Sequence, residues 1–143
     1  MKKNKKGLRH MGTMHTEYQG IKITAPADCG NAPKKKFLYD FIMAAATNDF
    51  HFISEHASDD ICWNIVNDNS IQGLEELANT LKAAPKITEV EILNIITHGK
   101  TASVNGTVKF EDHHTDSFCN VYTFVSAGKN TIKEIISYII KMD

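Results

Sequence analysis

The histidines are the first residues to consider for chemistry, because imidazole can transfer protons or bind metal ions near neutral pH. His113, His114 and Asp116 bring metal-binding side chains into one short segment. Adjacent histidines in a turn point apart, however, and no third ligand follows at a suitable spacing. We therefore expect neither a metal ion nor another cofactor. His56 and His98 lie near the ends of predicted elements, where each could transfer a proton or serve as a structural or surface residue.

Asn120 and Tyr122 form the polar pair that best indicates a small-molecule site. They lie in an apolar run that alternates between two faces of a predicted strand, and Phe118 and Phe124 share their face. A few polar groups on a mostly apolar face are typical of a small-molecule pocket. A buried hydrogen bond to a neighbouring residue would satisfy the same pair, so the pattern alone leaves both interpretations open.

The strand that carries this pair is predicted to lie at the centre of a sheet. A polar turn with a glycine, Ala127–Asn130, separates it from an isoleucine-rich run, and this pattern predicts a β-hairpin. The opposite face of the strand is also apolar, with Cys119, Val121, Thr123 and Val125. Because long apolar stretches are rarely left exposed to water, we expect a homodimer through this outer sheet face.

The periodicity of the remaining chain predicts helices first and strands later, an α+β architecture with a mostly antiparallel sheet. The predicted elements are helices over 33–47, 50–56 and 73–84, and strands over 61–66, 87–98, 101–112, 117–125 and 131–140. Residues 58–60 and 113–116 are assigned to turns. Residues 1–30 lack a sustained period and are interpreted as a basic, poorly ordered arm, although Tyr18–Ile23 could form a short strand. Residues 31–143 are predicted to form a single domain.

This order of elements resembles that of the nuclear transport factor 2-like superfamily, which includes the ketosteroid isomerases and the SnoaL-like polyketide cyclases. The segments that carry the resemblance are Phe37–Asp49, Phe50–His56, Asp59–Trp63, Ile71–Gly73 and Val121–Phe124. Together with the closing isoleucine-rich strand they span about residues 33–140. The resemblance implies a cone-shaped sheet wrapped around three helices, with a pocket between them and often a dimer through the outer sheet face.

In such a cone the apolar faces converge, and the predicted ligand-binding residues are Phe41, Trp63, Asn120, Tyr122 and Phe124. Trp63 is interpreted first as a core residue and second as part of the pocket lining. An amide at Asn120 could donate a hydrogen bond to a ligand, a water molecule or Tyr122.

Ketosteroid isomerases are similar enough for a comparison of catalytic positions. The resemblance places their general base at Ile65, beside Asn64, their oxyanion tyrosine at Phe41 and their second oxyanion donor at Asn120. Neither Ile65 nor Asn64 can act as a base, so we expect no ketosteroid isomerisation. His56 is then the remaining candidate for a catalytic base.

The distribution of charge argues against a nucleic-acid surface. Lys2, Lys3, Lys5, Lys6 and Arg9 give a basic start, and the remaining residues carry 11 basic and 17 acidic side chains, a net charge of −6. An acidic body is unsuited to binding nucleic acid. No apolar run reaches the ~20 residues of a membrane span, and we expect no membrane association. The odd number of cysteines, three, favours a reducing, cytoplasmic location.

The sequence therefore predicts a dimeric, SnoaL-like small-molecule-binding domain with a hydrophobic pocket and no evident catalytic base. The alternative is an enzyme of the isomerase, cyclase or hydratase type that acts on a small apolar substrate. Whether the chain is an enzyme stays open at this point.

Overall fold

The computed structural model describes residues 12–30 and 32–142 of the chain. Eight strands lie within these ranges: β1 Met14–Tyr18, β2 Ile21–Ala25, β3 Ala57–Ile65, β4 Ser70–Gln72, β5 Ile87–His98, β6 Thr101–Phe110, β7 Thr115–Phe124 and β8 Ile132–Met142. Three α-helices accompany them: α1 Pro33–Ala46, α2 Phe50–Glu55 and α3 Gly73–Ala83, with a 3₁₀ helix at Ala27–Gly30. The predicted α+β class is confirmed.

The described strands form one curved sheet in the order β1-β2-β5-β6-β7-β8-β3-β4. All neighbouring pairs are antiparallel except β2 with β5 and β3 with β8. Strand β7 lies between β6 and β8 in the middle of the sheet, which confirms its predicted central position. The inner face of the sheet packs against the helices, and the core lies between these two layers.

The N-terminal part of the chain departs from the prediction. Residues 14–25 form the hairpin β1–β2, and β2 pairs in parallel with β5 through Lys22, Ile23 and Thr24. Ile21, Ile23 and Ala25 are buried in the core. The prediction of a poorly ordered arm over residues 1–30 is therefore wrong for this hairpin, because its partner strand is more than 60 residues away and local periodicity could not reveal the pairing. Residues 1–11 lie outside the described residues.

The helices begin and end close to their predicted limits. Helix α1 has Pro33 in its first turn, and its buried residues recur at helical spacing from Phe37 to Phe41. Asp49 caps α2, because its side chain accepts a hydrogen bond from the backbone N–H of Phe52 at 3.2 Å. Within the described ranges, the helices fall short of the length and apolar character that crossing a bilayer requires.

Two predicted turns are strands in the structure. Strand β3 already begins at Ala57, and its pairing with β8 shifts register between Ala57 and Cys62. Strand β7 begins at Thr115, since Thr115 and Asp116 pair with both β6 and β8. The second difference matters for the candidate site, because it places Asp116 on the same strand face as Asn120 and Tyr122.

Candidate ligand-binding cavity

A cavity of about 360 Å³ lies between helix α1, the end of α3 and the inner face of the sheet. Phe41 and Ile42 of α1 contribute to its wall, opposite Tyr122 of β7. The lining residues Ala84, Pro85 and Ile139 are exposed, so the mouth of the cavity lies beside them. Tyr122 is only 1% exposed and marks the inner end. This combination of apolar walls and few polar groups is the usual character of a small-molecule site.

Four polar side chains of the cavity wall form one hydrogen-bonded chain. Trp63 Nε1 donates to Ser137 Oγ at 2.7 Å, and Ser137 Oγ donates to Asn120 Oδ1 at 2.6 Å. Asn120 Nδ2 then donates to Tyr122 Oη at 3.1 Å. The strand register explains the contacts, because Ser137 of β8 pairs with Asn120 of β7, and Trp63 lies on the neighbouring strand β3. Both of the expected roles of Trp63, core packing and cavity lining, are combined in this arrangement.

The direction of the hydrogen bonds leaves Tyr122 as the donor at the end of the chain. Its hydroxyl oxygen accepts from Asn120, so its own proton can point elsewhere. Burial raises the pKa of Tyr122 well above its ordinary value of 10.0, and the hydroxyl stays protonated at neutral pH. Tyr122 can therefore offer an O–H donor to an acceptor oxygen on a bound molecule.

Asp116 is the functional candidate that the sequence analysis missed. It lines the cavity, its side chain is 14% exposed, and its Oδ1 is shielded from solvent without a hydrogen-bond partner. An unsatisfied buried polar group costs ~1–3 kcal/mol, and a side-chain rotation that turned this oxygen into the cavity would let a ligand satisfy it. Phe118, Asn120 and Tyr122 alternate along one face of the strand. The same alternation includes Asp116 when the strand, predicted to begin at residue 117, is extended toward the N-terminus.

His114 lies beside Asp116, two residues before it along the chain. Its ring stacks on Phe110 with centroids 4.3 Å apart, and its Nδ1 bonds Asp112 Oδ1. Its Nε2 lies 4.0 Å from Asp116 Oδ1, beyond hydrogen-bonding distance. The backbone N–H of His114, followed by its ring, holds the pKa of Asp112 below its ordinary value of 3.8. Within the part of the chain that the structure describes, no group of three or more His, Cys, Asp or Glu side chains is arranged to hold a metal ion.

The structure brings four of the five predicted site residues together and separates the fifth. Phe41, Trp63, Asn120 and Tyr122 line the cavity, whereas Phe124 does not. Phe124 is fully buried beyond the inner end of the cavity, where its ring packs 5.9 Å from that of Phe37. Its assignment to the cavity wall is wrong because alternation gives the face of a residue but not its depth along a curved sheet. Whether the other four bind a ligand stays a prediction.

His56, the remaining candidate base of the sequence analysis, also lies away from the cavity wall. Its ring packs against Phe37 and Phe52 at centroid distances of 5.1 and 4.6 Å, and Nδ1 lies 3.1 Å from the carbonyl oxygen of Asn130. These contacts explain His56 as a packing residue at the opposite end of α1. Of the two positions compared with the isomerase base, Ile65 lines the cavity and Asn64 is exposed.

Neither protein-family models nor curated proteins yield a match to this sequence. Solved structures do. A nuclear transport factor 2-like protein of unknown function from Burkholderia xenovorans LB400 is 15% identical with a TM-score of 0.66, and the match covers 77% of this chain and 84% of that one. One of unknown function from Cytophaga hutchinsonii ATCC 33406 is 21% identical with a TM-score of 0.56, covering 73% and 97%. An LEH-like epoxide hydrolase of M. tuberculosis is 19% identical with a TM-score of 0.61, covering 73% and 80%. The chain therefore has the nuclear transport factor 2-like fold that its sequence predicted.

Proposed function

We propose that this chain is a small-molecule-binding domain of the SnoaL-like type, which holds a mostly apolar ligand in the cavity between α1 and the sheet. The observation that carries the proposal is the cavity of about 360 Å³ with its single internal chain of polar side chains. If Asn120 and Tyr122 served only to fill the core, the hydroxyl of Tyr122 would not need to remain an unused donor at the end of this hydrogen-bonded chain. The protonated hydroxyl of Tyr122 suits a carbonyl or ether oxygen on the ligand.

Binding of Nile red, a neutral apolar dye, tests this proposal directly. We expect its fluorescence to rise when it enters the cavity and the Ala46→Leu variant to bind it at least about tenfold more weakly, because Ala46 lines the cavity and the added carbons occupy ligand space. Ala83→Leu is the matched control, since Ala83 is exposed and lies outside the lining. Equal dye binding by both variants would exclude the cavity as the binding site.

A second candidate is an enzyme of the isomerase, cyclase or hydratase type, and Asp116 is the observation that favours it. A carboxylate in an apolar cavity can act as a general base, which the isomerase-like positions Ile65 and Asn64 cannot provide. Deuterium exchange next to the carbonyl of an apolar ketone, followed by NMR in D₂O, distinguishes the candidates. Exchange above background that is lost in Asp116→Asn would favour the enzyme, and no exchange would favour the binding domain.

The proposal includes a homodimer formed through the outer face of the sheet. On this face Ile96, Tyr138 and Ile140 are 63%, 49% and 67% exposed, and Cys119 and Val121 are half-buried beside them. The helices pack on the other face, and exposed apolar patches of this kind are characteristic of association sites. A cytoplasmic location belongs to the same proposal and is supported by the free thiols of Cys62 and Cys119.

A further inference from the structure

The cavity wall contains a carboxylate, Asp116, with one oxygen that has no hydrogen-bond partner among the described residues. Asp116 is the second residue of β7, and its side chain lines the cavity. Its Oδ1 has no hydrogen-bond partner although it is shielded from solvent. The carboxylate accepts hydrogen bonds and cannot donate them when ionised. A ligand would therefore satisfy Oδ1 only with an N–H or O–H group, after the Asp116 side chain rotates to turn this oxygen into the cavity.

The charged groups around Asp116 do not occupy this oxygen. His114 Nε2 is 4.0 Å away, and the ring is held in place by Phe110 and Asp112. Lys141 pairs with Asp116 across β8, but it is exposed and forms no ion pair with it. The cross-strand neighbour on β6 is the apolar Val108. Rotation of the carboxylate toward an ammonium or hydroxyl group in the cavity would thus break no hydrogen bond to the described residues.

The two ends of the cavity therefore have opposite hydrogen-bonding character. Tyr122 supplies a donor at the inner end, and Asp116 supplies an acceptor at the mouth. They are six positions apart along β7, which corresponds to about 20 Å of extended strand before the side chains and the sheet curvature shorten the distance. A long, mainly apolar molecule matches this separation better than a compact one.

We infer that the cavity selects an elongated apolar ligand that carries a hydrogen-bond donor, an ammonium or a hydroxyl group, at the end held by Asp116. This inference rests on the proposed function, because it names the ligand class of the same cavity. Ammonium and hydroxyl share the donor chemistry and differ in charge. An ammonium group adds charge attraction to the bond with the carboxylate.

Displacement of Nile red by decylammonium, decanol and decanoate tests the ligand class with one chain length and three end groups. We expect decylammonium and decanol to displace the dye, and decanoate to be at least about tenfold weaker, because its carboxylate would be repelled by Asp116 at the mouth or would lose its hydration to reach Tyr122 at the inner end. In Asp116→Asn the advantage of decylammonium over decanoate should fall by about tenfold or more. Asp60→Asn is the matched control, since Asp60 is exposed and does not line the cavity.

Several outcomes would overturn the inference. Decanoate that binds as well as decylammonium, or an order of affinities that is the same in Asp116→Asn as in the parent chain, would exclude Asp116 as the selecting group. If Nile red does not bind, only the proposed binding of the dye is contradicted. Calorimetric titration with decylammonium and decanoate then tests the inference by their relative affinities. Thermal melting of each variant confirms that it is folded.

Discussion

At the residue scale, Asn120 joins the two halves of the polar chain in the cavity. It accepts from Ser137 with its oxygen and donates to Tyr122 with its nitrogen. Ser137 is 2% exposed and in turn accepts from Trp63. A side chain at this position without an amide would leave the hydroxyl of Ser137 without its acceptor in a site that little water can reach.

The Asn120→Leu variant should therefore be less stable by ~1–3 kcal/mol, the cost of an unsatisfied buried polar group. Urea unfolding measures this change in the free energy of unfolding. The control is Asn130→Leu, which removes a 3.4 Å hydrogen bond from Lys34 at an exposed turn position and should cost little. A variant at Asn120 that keeps or gains stability while losing Nile red binding would instead assign the amide to the ligand.

Tyr122 makes the stability depend on alkaline pH. Burial, the main cause, raises the pKa of Tyr122 in the folded chain above the ordinary value of 10.0 that applies after unfolding. Its contribution to stability is therefore complete below about pH 10 and is lost as the pH rises further, by up to about 1.4 kcal/mol per pH unit.

We expect the free energy of unfolding of the parent chain to fall more steeply above this pH than that of Tyr122→Phe, whose side chain has no proton to release. Unfolding titrations at increasing pH measure the difference. Tyr18, Tyr39 and Tyr138 are present in both proteins, so their ionisation cancels in the comparison. Equal slopes would mean that the Tyr122 hydroxyl ionises as readily in the folded chain as in the unfolded one.

At the scale of elements, the close pairing of β5 with β6 depends on one glycine, Gly106. Gly106 of β6 pairs with Ile92 next to a register shift between Ile92 and Asn94 of β5. A Cβ atom on Gly106 would lie 1.9 Å from the backbone oxygen of Glu91, so the two backbones approach too closely for any side chain. A close backbone approach at a glycine beside a register shift is typical of a local bend in a sheet.

The Gly106→Ala variant should lose at least ~1–3 kcal/mol of stability, since the β5 backbone must move to accept the methyl group. Thermal and urea unfolding measure the loss. Gly128→Ala is the control, because nothing lies within 4 Å of a Cβ atom at that turn position. If both variants were equally stable, β5 would be free to adjust and the close approach would not determine the curvature.

At the scale of the whole molecule, the inner and outer faces of the sheet differ in what covers them. The inner face packs against α1 and the other helices, whereas the outer centre carries exposed Tyr138 and Ile140 beside half-buried Cys119. The side chains around this centre are apolar or uncharged, which suits a self-complementary interface between two copies.

Light scattering at micromolar concentration should therefore report a dimer mass for the parent chain and a monomer mass for Tyr138→Arg, because the guanidinium would be buried without a partner at the interface. Asn79→Arg, on the exposed side of α3, is the control and should stay dimeric. A monomer mass for the parent chain at this concentration would contradict the proposed assembly.

The sequence alone determined the local elements and their order, because helical and strand periodicity reflect which side of an element is buried. Helix α1, the central strand β7 and the inward face with Asn120 and Tyr122 follow from that pattern. The resemblance to the superfamily then predicted the fold, which the solved structures confirm.

Only the tertiary structure decided the pairings between distant segments and the depth of each residue in the cone. The parallel pairing of β2 with β5, the inward position of Asp116 and the place of Phe124 outside the cavity all depend on register and curvature. Period-two alternation says which face a side chain is on, but hydrogen bonding to neighbouring strands sets where the strand begins and where along the curved sheet each side chain lies.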